Sequence, residues 1–278
     1  MSFGILLAVL GAALLHASWN ALLKIGPSKR GTMLVLSLTE LPIGLAIAAT
    51  RPFPAAEVWP WVLASGTTHL AYKLFLLFAY DHGDLSRVYP IARGTAPMLV
   101  LIVSALFLSD RISPAEYAGI AAIGAGILVM AGGVFRSGES RRLVPLALGS
   151  ALATAVYTLL DGQGARVSGD AVAYVAWVFV ADGLIFSTAI LTYAGRPAVP
   201  SRPRDWAMGA AASVASYASY AIAVWAMTAA PIALVAALRE TSILFAVLIG
   251  WLVFGDRMSR GKWVAVALIV AGVFTTRL

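Results

Sequence analysis

The sequence contains no cysteine, and charged residues make up only 12% of its 278 positions. The first absence excludes disulfides and thiolate-bound metals. The second excludes an ordinary soluble domain, in which about a quarter of the residues are charged. What fills the space is apolar: 60% of the residues are hydrophobic and the mean hydropathy is +0.87, the composition of an integral membrane protein. Also lacking are a G-x-x-x-x-G-K-[ST] loop, an H-E-x-x-H pair and a G-x-S-x-G elbow, so nothing in the sequence points to P-loop use of ATP, to a zinc protease or to a serine hydrolase. The formal net charge of +7 invites a nucleic-acid reading, but the basic residues stand singly between apolar runs and form no stripe. No nucleic-acid partner, metal or cofactor is expected.

About 20 apolar residues are needed for a helix to cross the hydrocarbon core. Ten runs of about that size lie near 3–24, 31–50, 59–80, 85–108, 114–134, 143–164, 170–194, 205–229, 232–254 and 260–276. The first run lacks the basic start of a signal peptide, and its "HASWNALLK" end is unlike a small-residue cleavage site, so it is read as helix 1. The two longest loops, "RPFPAAEVWP" and "GRPAVPSRPRDW", are rich in proline and lead to tryptophans suited to the membrane interface. If the termini are cytoplasmic, Arg51, Arg111, Arg166 and Arg277 fall on that side and thirteen basic residues on the other. The positive-inside rule then favours termini outside.

The chain repeats itself. An offset of 146 lays "PIARGTAPMLVLIVSALFLSDRIS" (90–113) over "AALRETSILFAVLIGWLVFGDRMS" (236–259), so that Arg93 meets Arg239, Thr95 meets Thr241 and Ser113 meets Ser259. An offset of 138 lays "LGAALLHASWN" (10–20) over "LGSALATAVYT" (148–158), and one of 142 puts Glu40 on Asp182. Two repeats follow, 1–137 and 142–278, each of five crossings. An odd number of crossings sends the second copy into the membrane from the opposite face, the inverted arrangement of secondary transporters, whose substrate sites lie near the midplane between repeats. The expected fold is all-α, with ten transmembrane helices in two inverted five-helix repeats.

The paired five-helix repeats, the "LSDRIS" and "FGDRMS" turns and the Gly-rich helices 5 and 10 resemble the drug/metabolite transporter superfamily, EamA-type branch. That resemblance implies a multi-pass protein of the bacterial inner membrane that exports amino acids or similar metabolites, works as a monomer or homodimer in the lipid bilayer, and is not an enzyme. Two other readings stand beside it: an intramembrane enzyme acting on a lipid head group, and a lipid flippase.

A transporter should gather its polar side chains on helices 1–4 and 6–9 and leave 5 and 10 for packing. Helix 1 carries His16, Trp19 and Asn20; helix 3 carries His69, Tyr72 and Lys73; helix 4 carries Tyr89; helix 6 carries Tyr157 with Thr154, Thr158 and Asp161; helix 8 carries Tyr217 and Tyr220 with Ser213 and Ser216. Spacings of three and four keep such groups on one face. Glu40, Asp182, Arg93 and Arg239 lie deep in apolar runs, where a charge costs several kcal/mol, with estimates from about 2.5 to above 10. They serve either as acid–Arg pairs that fasten each repeat or as a site for both ends of a zwitterion. Pro90 and Pro97 should loosen helix 4 around Arg93, and Pro42 should loosen helix 2.

Overall fold

The computed structural model describes residues 1–24, 29–80, 85–131, 143–194, 199–255 and 258–278, with side chains described for all of these but 23, 24, 29, 30, 80, 85–92, 131, 143, 194 and 254. Among the described residues every regular element is a helix: α1 Phe3–Lys24, α2 Lys29–Ala48, α3 Trp59–Tyr80, α4 Leu85–Phe107, α5 Pro114–Ala131, α6 Leu143–Ser168, α7 Ala171–Ala194, α8 Pro203–Ala229, α9 Ile232–Arg239, α10 Ser242–Phe254 and α11 Arg260–Thr275, with a 3-10 turn at Ala56–Val58. Seven spans among them are long and apolar enough to cross a membrane, and shorter apolar helices lie at Arg93–Phe107 and Pro114–Met130. Large apolar side chains such as Leu106, Leu252, Val253 and Phe274 point outward, which suits a lipid solvent.

Three helices bear on their expected form, one by breaking and two by running on. The run at 232–254 is one span in sequence but holds two helices: the N–H of Glu240 bonds Ala237 O at 3.1 Å and that of Thr241 bonds Leu238 O at 3.1 Å. The chain thus tightens by one residue per bond at 239–241. Conversely, α2 runs unbroken through Pro42 and α4 runs unbroken through Pro97. A proline removes one donor and crowds the preceding turn, but neighbouring turns of a packed helix hold the rest in place.

The "D-R-x-S" turns have a local cause. Ser113 and Glu116 cap α5 reciprocally, with Ser113 N to Glu116 Oε2 at 2.8 Å and Glu116 N to Ser113 Oγ at 3.2 Å, the S-x-x-E box, and Pro114 fills the first helical position. Ser259, its repeat mate, accepts from Lys262 N at 3.3 Å to start α11. Asp110 accepts Arg166 Nη1 at 2.8 Å, Arg166 Nη2 at 3.2 Å and the first free N–H of α9, Ile232 N, at 2.9 Å. Arg166 also donates to Met227 O and Ala230 O at the end of α8. One carboxylate thereby ties a loop of the first repeat to three helix ends of the second. Asp256 and Arg257 lie outside the described residues.

Packing exchanges elements between the repeats. α1 packs on α8 and α6 on α3; α1 also meets α9 and α10, while α6 meets α4; α2 crosses α7, and α5 crosses α11. For these contacts, swapping each helix for its repeat mate returns another of them. The α5–α11 crossing is backbone to backbone: a Cβ on Gly272 would lie 2.7 Å from Gly119 O, and a Cβ on Gly119 would lie 2.7 Å from Gly272 O. Small residues here let the two axes approach. Hydroxyls bind the other seams, Ser219 Oγ donating to Ala12 O at 2.7 Å and Ser213 Oγ to Leu36 O at 2.9 Å.

Candidate functional site

Where the two repeats face each other there is a cavity of about 70 Å³, lined by α1, α2, α3 and α4 on one side and α6, α7, α8 and α9 on the other. That is well below the roughly 300–1,000 Å³ of open small-molecule sites, so the seam as it stands is nearly closed. His16, Trp19, Glu40, His69, Tyr72, Lys73, Arg93, Tyr157, Asp182, Tyr220 and Arg239 all line it. Asn20 does not: its amide turns back to His16 O at 2.7 Å. Tyr217 is buried in a core cluster with its ring against Phe179, centroids 5.0 Å apart. The side chain of Tyr89 lies outside the described residues.

The charges pair in ways that separation along the chain concealed. Lys73 Nζ is 2.5 Å from Asp182 Oδ2 and 3.7 Å from Glu40 Oε2, and donates to Ser37 Oγ at 2.8 Å. The two matched acids therefore share one lysine of α3. Among the described residues neither is paired with an arginine of its own repeat, unlike the first of the two alternatives drawn from sequence. Arg93 Nη1 donates to Glu240 Oε1 at 2.9 Å, across the repeats, and Arg93 Nη2 meets His16 Nε2. Glu240 sits at the tightened turn that separates α9 from α10, so that turn aims an acid at the opposite repeat. Lys73, Asp182, Glu40, Arg93, Arg239 and Glu240 are each 6% exposed or less, so their pairing is in a medium where Coulomb attraction is strong and desolvation costly.

Aromatic groups form the wall between the charged clusters. His69 stacks on Tyr157 at 4.0 Å, Tyr72 and Tyr220 stand near Tyr157 at 5.6 and 6.3 Å, and Phe179 lies 5.8 Å from Tyr220. Asp161, buried behind this wall, accepts the hydroxyls of Tyr174 at 2.9 Å and of Tyr220; it sets the orientation of the Tyr220 ring, over which the Arg239 guanidinium lies at 5.5 Å. Ser216 and Phe179 also line the cavity. Ser216 stands four residues before Tyr220 on the same polar stripe, a signal present in the sequence. Phe179 is apolar within an apolar helix and gives none.

The chain resembles known proteins in a way that agrees with this architecture. The model of the EamA-like transporter family matches twice, at residues 2–132 and 142–278. Among solved structures 29 chains match; one crystal structure superposes with a TM-score of 0.79 over 99% of this chain and 98% of its own at 21% identity, a likeness of fold alone. No curated protein matches. An all-helical bundle whose two halves exchange equivalent contacts, with a family match in each half, leaves one assignment: this chain is a multi-pass membrane protein of the EamA-like transporter family, in the drug/metabolite transporter superfamily.

Proposed function

We infer that the chain is a secondary transporter rather than an enzyme, and that it moves a small zwitterionic metabolite of the amino-acid kind out of the cell across the bacterial inner membrane. The observation that carries this reading is the cavity at the seam, lined from both repeats by buried acids and buried cations. An apolar seam would not hold charges at that depth. In this reading 1–137 and 142–278 are inverted repeats that rock about the cavity and open it to each face in turn. His16, Trp19, Glu40, His69, Tyr72, Lys73, Arg93, Tyr157, Asp182, Tyr220 and Arg239 would meet the cargo, and the protein would act in the bilayer as a monomer or homodimer.

The test is flux. Purified protein in liposomes loaded with labelled amino acids, with and without a pH gradient, is expected to release at least one of them faster than empty liposomes do. Arg93→Ala and Arg239→Ala are each expected to abolish that release. Normal transport by both folded variants would remove the charged cavity from the mechanism.

A further inference from the structure

Each symmetric pair of charges in the cavity has one partner too few. Glu40 and Asp182 are related by the repeat, yet share Lys73; the short contact goes to Asp182, and Glu40 Oε2 accepts no hydrogen bond among the described residues. Glu40 has, beyond the distant ammonium, a single neutral donor, Ser216 Oγ at 3.1 Å. Arg93 and Arg239 are likewise related, and the glutamate between them, Glu240, is taken by Arg93. Arg239 makes no hydrogen bond and no ion pair among the described residues; it is 4% exposed, its Nε has no acceptor there, and the face of Tyr220 lies 5.5 Å from its guanidinium carbon.

The reason is in the sequence. The offset of 146 that puts Arg93 on Arg239 puts Gly94 on Glu240, so the acid that would complete the second arginine was never matched in the first repeat. A side chain there has no room either, since a Cβ at Gly94 would lie 2.9 Å from Ile127 Cγ2. Buried guanidinium groups require acceptors, and this one faces the cavity. One unbalanced positive charge and one unbalanced negative charge thus line the same hollow. Both are in contact with α8. Ser216, on Glu40, and Tyr220, under Arg239, are one turn apart on α8, a rise of about 6 Å, which a vicinal amine and carboxylate with a hydrogen bond at each end can bridge.

We propose that Arg239 receives the carboxylate and Glu40 the ammonium of one α-amino acid, while Arg93–Glu240 and Lys73–Asp182 are fixed pairs that hold the cavity walls. Trp19 Nε1, buried in the lining with no acceptor, is a further donor for the carboxylate. The side chain of the ligand lies against Tyr72, Tyr157 and Phe179. This assignment rests on the reading of the cavity as the cargo site and names which of its charges do the recognition.

Binding to the full-length protein in detergent, by thermal shift and titration, separates the two. The probes are L-leucine with isocaproate and isoamylamine, and L-phenylalanine with hydrocinnamate and phenethylamine, so that each amino acid is set beside its amine-free and carboxyl-free forms. Wild type is expected to prefer an amino acid over both its truncated forms by about 100-fold or more, as sites built to pair buried polar groups do. Arg239→Gln is expected to lose about 100-fold for the amino acid and the acid while binding the amine unchanged; Glu40→Gln is expected to do the reverse. Should either variant fail to fold, Arg239→Lys and Glu40→Asp, which keep the charge, are expected to weaken the same probes selectively. Equal loss of acid and amine in both variants, or a wild type that binds the amine-free acid as tightly as the amino acid, overturns the assignment and leaves the cavity reading standing. Binding of no probe at all by wild type overturns the amino-acid reading itself.

Discussion

Removing the ammonium of Lys73 would leave Glu40 and Asp182 buried with no other cation within 4 Å among the described residues. Breaking one side of a buried pair costs about 3–5 kcal/mol, because the remaining charge keeps its desolvation penalty. Lys73→Met is therefore expected to lower thermal stability by that amount, and Lys73→Met with Asp182→Asn to recover most of it; a single variant as stable as wild type would show that the pair is not a strut. The depth of these groups was legible in the sequence, because a lone charge in an apolar run stands out. Their partners were not. Lys73 and Asp182 are 109 residues apart and Arg93 and Glu240 are 147 apart, and nothing local to either residue names the other. Asp161 shows the same gap: its place on an inward stripe was readable, its use as a shared acceptor for two tyrosines was not.

At the scale of the helix, apolar length told most of the story, since a bilayer demands runs of fixed size. It could not show the tightened turn between α9 and α10, where Glu240 and Thr241 carry no proline or glycine to announce it. α2 and α4 run on through Pro42 and Pro97. Glycine was the more faithful sign. Gly119 and Gly272 each leave room for the carbonyl of the other, so Gly272→Val must push α5 and α11 apart. The expected cost is about 1–3 kcal/mol, the range for overpacking a filled contact, read as a fall in the unfolding temperature of the purified protein. An unchanged temperature would mean that the crossing is looser than its geometry. Asp110 invites a milder test of the same kind: Asp110→Asn keeps the shape but weakens its bonds to Arg166 and the start of α9, at about 1.5–3 kcal/mol for hydrogen bonds to a charged group.

For the whole molecule, a rocking transporter must wet its centre at some stage of the cycle. The absence of cysteine makes this easy to follow, because any thiol introduced is the only one present. Ser216→Cys, in the cavity lining, is expected to react with a hydrophilic methanethiosulfonate reagent in membranes and to be protected by a bound amino acid; Val253→Cys, on the outer apolar surface and 70% exposed, is expected to stay unmodified. Inertness at 216 under every condition would describe a dry seam and end the transport reading.

Glycine at 94 opposite glutamate at 240 carries a lesson about descent. A molecule assembled from two second repeats would have an acid for every arginine and bring no lysine of the Lys73 kind; one assembled from two first repeats would have one lysine for each Glu40 and two stranded arginines. Neither symmetrical molecule would hold this set of side chains. The unpaired charges of the cavity belong to the difference between its halves, not to what they share.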